Sequence, residues 1–106
     1  MEDAPDKPDP KGFINLSKKL LGDKLGSSNI PIGYVGDTIA DINTVINAKK
    51  EIPSQKFISI GIAPPHLHSK SRLSERNSYE KNLKNAGADL ILNSIYDLED
   101  IDLDLF

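Results

Sequence analysis

A chain of 106 residues, 38% hydrophobic and 27% charged, is sized and composed for one globular domain rather than for two domains or a disordered coil. Its net charge of −3 argues against the clustered positive surface that broad nucleic-acid binding requires. The absence of cysteine excludes disulfides and thiolate chemistry. No apolar run approaches the roughly 18 residues of a membrane span. The acidic, proline-rich start MEDAPDKPDP is the reverse of a signal peptide, so a cytoplasmic, non-membrane protein is expected.

Residues 1–8, with Pro5 and Pro8 among acids, read as an extended approach segment to a single domain spanning 1–106. Pro10 suits the first turn of a helix capped by Asp9, and Phe13, Leu16, Leu20 and Leu21 follow helical spacing until Gly22 and Gly26 end the element. Ile30 to Val35 is a short apolar run that reads as a strand buried on both faces. Asp37 or Thr38 can cap the next helix, whose apolar face is Ile39, Ile42, Val45 and Ile46, and Pro53 stops it. Phe57 to Ile62 reads as a second apolar strand, ended by Pro64 and Pro65. Residues 66–74 read as a polar loop, and a helix from about Glu75 to Ala86 carries Tyr79, Leu83 and Ala86 on one side until Gly87 closes it. Leu90 to Leu92 forms a third strand and Tyr96 to Ile101 a last short helix.

Strands that are apolar throughout and alternate with amphipathic helices predict an α/β fold, a parallel sheet with helices joined by right-handed crossovers. Consecutive units of this kind place the first strand beside the second.

In such sheets, ligands bind outside the carboxyl ends of the strands. The first strand runs directly into Gly36-Asp37-Thr38-Ile39-Ala40-Asp41. Gly36 lets the backbone turn tightly, Asp37 emerges at the strand tip, and Asp41 lies one helical turn on. Two carboxylates so placed can share a hard cation such as Mg²⁺. They can equally serve the helix alone, with Asp37 as its cap and Asp41 as a first-turn acid, and on spacing alone that capping reading is the stronger of the two.

The wider pattern shifts the balance. Asp6-Lys7-Pro8-Asp9-Pro10 ahead of the first helix, GDTIAD after the first strand, and GADLILNSIYDL near the end resemble, in that order and separation, the phosphatase-like branch (subfamily IA) of the haloacid dehalogenase superfamily of hydrolases. The resemblance implies a three-layer Rossmann-like core of which this chain is the C-terminal half. It also implies Mg²⁺ as cofactor, Asp37 as a metal ligand, and Asp41 as the second acid, binding the cation through water or orienting the lysine. Lys7 becomes the catalytic lysine that neutralises the nucleophile and the phosphate of a phosphorylated small molecule.

The family nucleophile lies in a DxDx(T/V) segment, and the chain has none: Asp102-Leu103-Asp104 has the spacing but is followed by Leu105 and Phe106. The expectation is therefore the C-terminal portion of a Mg²⁺-dependent phosphoester hydrolase, inactive alone. Its expected partners are a separately encoded N-terminal half or a second copy pairing through an exposed sheet edge. A non-catalytic interaction module using that edge is the competing reading. His66 and His68 follow the second strand on the ligand side; a metal role lacks a third ligand. His66 is taken as a substrate contact, while nearby Lys70, Arg72 and Arg76 read mainly as surface charge.

Overall fold

The computed structural model describes residues 9–27, 30–94 and 97. Lys7, most of the last expected helix and the Asp102–Asp104 pair lie outside the described residues. The elements are α1 (Lys11–Leu21), β1 (Ile32–Gly36), α2 (Ile39–Glu51), β2 (Phe57–Ile62), α3 (Leu73–Ala86) and β3 (Leu90–Leu92). Short 3-10 turns at Gly22–Lys24, Pro65–Leu67 and Lys70–Arg72 join them, so the stretch expected as plain loop carries local structure.

The three strands form one parallel sheet in the order β1-β2-β3, with Ile32 opposite Phe57 and Ile60 opposite Leu90. The α/β class and the adjacency of the first two strands are as expected. Only the central strand is buried on both faces: Phe57 to Gly61 are all buried, whereas β1 exposes Gly33 and leaves Tyr34 to Gly36 half-buried.

Side chains alternate across the sheet, and the two faces have separate cores. On one, Ile32 and Phe57 meet Phe13 and Ile14 of α1 and Val45 and Ala48 of α2, while Ile42, Leu83 and Ile91 join α2, α3 and β3. On the other, Val35, Ile58, Ile60, Ile62, Leu90 and Leu92 form a cluster to which no described helix contributes. Two crossovers of one hand stepping the same way along a sheet must fall on the same face. The described residues thus show two layers, sheet and helices, of the three implied by the family resemblance.

The buried stripe of α1 differs from the expected one. Phe13, Ile14 and Ser17 are buried, whereas Leu16 is 56% and Leu20 67% exposed. Both stripes have helical spacing. Phe13 and Leu21 face the core in both; the difference is that Ile14 and Ser17 turn inward beside Phe13, whose ring packs edge-on to Tyr34 at 4.9 Å and against Phe57 at 5.1 Å. Ser17 tolerates burial because its hydroxyl donates to the Phe13 carbonyl at 2.9 Å. At the helix start, Pro10 occupies the cap position and Asp9 accepts the Lys11 N–H at 2.9 Å. On α2, Ile42 and Val45 are buried as expected, but Ile39, the first residue of the helix, is exposed.

Two side-chain clamps set the loops. Buried Gln55 accepts from the Gly26 N–H at 2.9 Å and donates to the Ile30 carbonyl at 2.8 Å, pinning the approach to β1. Asp89 accepts from the Ser59 N–H at 2.8 Å and from Lys49 at 3.0 Å, seating the entry to β3 on β2. After α3 the chain reverses at Gly87, whose φ of 119° is left-handed, so its conformation demands glycine.

Ser59 is 1% exposed, and its hydroxyl has no hydrogen-bond partner among the described residues. An orphaned buried hydroxyl costs about 1–3 kcal/mol. Ser59→Ala should therefore stabilise the chain by about 1 kcal/mol. Urea unfolding checks this, and a lower midpoint for the variant would reveal a partner for the hydroxyl.

Candidate functional site

The carboxyl end of β1 is organised around Asp41. Thr38, in extended conformation, caps α2 by accepting the Asp41 N–H at 3.1 Å. Asp41 reciprocates: its Oδ2 accepts from the N–H groups of Asp37 and Thr38, each at 3.1 Å, and from the Thr38 hydroxyl at 2.9 Å. Its Oδ1 accepts the Tyr34 hydroxyl at 3.2 Å. This is a capping box, and it encloses a carboxylate only 3% exposed. Of the two offered caps, Thr38 is the one used.

Gly36 makes the box possible for a reason other than the one its sequence suggests. Positive φ among glycines occurs at Gly22, Gly26 and Gly87, not at Gly36. Gly36 is still the last residue of β1, and a Cβ there would lie 2.5 Å from Cγ and 2.7 Å from Oδ2 of Asp41. Its role is close approach rather than turning.

With Asp41 occupied, Asp37 has a different situation. It is half-buried, and its carboxylate has no hydrogen-bond or ion-pair partner among the described residues. It lines a hollow of about 440 Å³ with Ile62, Ala63, Pro64, Pro65, His68 and Ser94, outside the carboxyl ends of the strands where such sheets bind ligands. The Asp37 carbonyl accepts a hydrogen bond from the Tyr79 hydroxyl of α3. Burial first, and then the charges of Asp37 and Asp41, push the Tyr79 phenol above its usual pKa, so it remains a donor at neutral pH.

The two histidines straddle Leu67, which is buried and anchors their turn. His66, the expected substrate contact, is exposed and is not among the residues lining the hollow. His68 is half-buried and lines it, with Nε2 2.7 Å from the Ala63 carbonyl. A carbonyl only accepts, so Nε2 carries the proton and Nδ1 is the nitrogen left to accept. The available signal was buried Leu67: it sends its two neighbours different ways, and only the fold decides which faces the strands. Among the nearby cations, Arg76 is engaged by Glu80 at 3.0 Å and by the Asn93 carbonyl at 3.0 Å. Arg72 lies 3.6 Å from Glu75, both exposed.

Among the described residues, the donor set for a divalent cation at this tip is one available carboxylate, that of Asp37. Mg²⁺ takes oxygen ligands, keeps several waters and needs only one or two carboxylates, so Asp37 with water suits it. Asp41, already accepting four hydrogen bonds, serves by shaping the turn that presents Asp37. No group of three or more His, Cys, Asp or Glu side chains able to hold a metal occurs among the described residues. No helix among them is long and apolar enough to cross a membrane. In comparisons with known proteins, no family model, no curated protein and no solved structure matches this chain.

Proposed function

We propose that this chain is the C-terminal portion of a haloacid-dehalogenase-type phosphoester hydrolase, in which Asp37 holds a Mg²⁺ ion at the carboxyl edge of the sheet. One observation carries the reading: the GDxxxD spacing places one carboxylate in a buried capping box and leaves the other over a hollow at the strand tips. The division of labour has a chemical sense. Asp41 immobilises the backbone of Asp37 and Thr38, so the Asp37 carboxylate is presented without its own side chain serving the helix.

When bound, the cation would neutralise charge on a phosphoryl group. The chain's own residues do the rest of what these 106 positions allow. Asp37 holds the cation. His68, fixed at Nε2, offers Nδ1 as a polar contact beside a wall of Ile62, Ala63, Pro64 and Pro65. Lys7, through its resemblance to the family lysine, supplies positive charge to the phosphate. No DxDx(T/V) segment is present, so the attacking carboxylate has to come from another segment of polypeptide.

The test is a Mg²⁺ titration followed by backbone amide shifts. Wild type should shift at Gly36 to Thr38 and at Ile62 to Ala63, with affinity falling at least about tenfold in Asp37→Asn, the lower bound set by the cost of losing even an outer-shell group. Equal binding by both proteins, or none by wild type at millimolar Mg²⁺, would sink the reading.

A further inference from the structure

We infer that Tyr79 is a positioning residue for Asp37, tying the cation-holding turn to α3; the inference rests on the role proposed for Asp37. The backbone of Asp37 is held from two directions. Its N–H, with that of Thr38, is anchored to Asp41 within the same turn. Its carbonyl is anchored to a residue 42 positions later, the hydroxyl of Tyr79. The first tie is local to the turn. The second is the described hydrogen bond between this turn and a separate element, and it fixes the peptide that carries the Asp37 side chain relative to the β2–α3 wall of the hollow.

Tyr79 is well placed for the task. Its ring leans on the buried Ile42 and Leu83, so the hydroxyl is delivered from a packed base rather than from a free side chain. Beside it lies a cleft of about 210 Å³ lined by Thr38, Ile39, Tyr79, Asn82 and Leu83. The start of α2 and the body of α3 are therefore not in continuous contact there, and the hydroxyl bonds the residue just before Thr38. Without it, the capping box would hold the turn alone and open more readily, and the turn would lose the reference to α3 that sets where the carboxylate stands over the hollow. Groups that orient a ligand are worth about tenfold to a hundredfold in metal affinity.

Tyr79→Phe retains the ring and its packing and deletes only the donor. Two measurements on the full chain separate this inference from the reading beneath it. Solvent exchange of the Asp37 and Thr38 amide protons should quicken about fivefold in the variant, the worth of one neutral hydrogen bond, with the unfolding equilibrium constant rising by no more than about the same factor. Mg²⁺ affinity, from the amide titration, should fall about tenfold, while Ser78→Ala, an exposed change on the same helix, keeps wild-type affinity. Unchanged exchange in Tyr79→Phe, loss of the fold, or quickened exchange with wild-type affinity would each overturn the positioning role. Quickened exchange in a chain whose wild type binds no Mg²⁺ would uphold the tie between α3 and the turn and bring down the cation reading of Asp37 instead.

Discussion

Gly36→Ala is expected to cost the chain about 3 kcal/mol or more, the sum of an overpacked contact and a broken cap. The added methyl would meet the Cβ, Cγ and Oδ2 of Asp41, atoms near the root of a buried side chain that cannot swing away. Either β1 shifts, with its pairing to Gly61, or Asp41 leaves the box and orphans the Asp37 and Thr38 N–H groups. A typical small domain has only about 5–15 kcal/mol in total, so a large share of the stability goes at one methyl. Urea unfolding gives the number. A variant within about 0.5 kcal/mol of wild type, the usual range for an uncritical surface change, would mean that the turn relaxes and that close approach is not why glycine stands here.

The second large effect concerns turnover. On the proposed function, the isolated chain with Mg²⁺ should not hydrolyse p-nitrophenyl phosphate above background, because charge neutralisation and positioning leave most of one of the highest known barriers standing. Supplying a polypeptide that carries a strand ending in DxDx(T/V) should restore Mg²⁺-dependent turnover. Asp37→Asn in the complemented pair should abolish it, since the cation is worth several kcal/mol to the developing charge. Turnover by the isolated chain that Asp37→Asn removes would place a nucleophile within these 106 residues. Complementation indifferent to Asp37 would move the cation elsewhere.

What the sequence disclosed, and what it withheld, follows from the range of the forces involved. The strands at Phe57–Ile62 and Leu90–Leu92 and the end of α3 at Gly87 are written in local runs and in one left-handed glycine, so they could be read directly. The stripe of α1 could not. Phe13 and Leu21 face the core as their spacing predicts, but whether Leu16 and Leu20 or Ile14 and Ser17 join them rests on the surface α1 meets, where Tyr34 and Phe57 are distant in sequence. At the site, the spacing of Asp37 and Asp41 located the strand tip. It could not say which carboxylate would be enclosed, because that depends on Thr38, Gly36 and the Tyr34 hydroxyl acting together. Tyr79 read as simple packing, which its ring does, while its hydroxyl acts across 42 residues. His66 and His68 could not be told apart until the turn around Leu67 was folded.

Among the described residues the helices stack on one face of the sheet, and this also shapes the electric field. In a parallel sheet each crossover helix runs back against its strands, so α2 and α3 both begin at the edge where β1 and β2 end. Each helix start carries roughly half a positive elementary charge from its aligned peptide dipoles. At α2, much of that is met by the enclosed Asp41. At α3, the first turn holds Glu75, which is exposed. The same edge therefore combines one forward-facing carboxylate with fixed partial positive charge. A dianion approaching Asp37 would be repelled at close range unless a cation stood between them, while the backbone dipoles behind it lower the energy of the pair once it has arrived. Being covalently oriented, those dipoles need no rearrangement when charge appears.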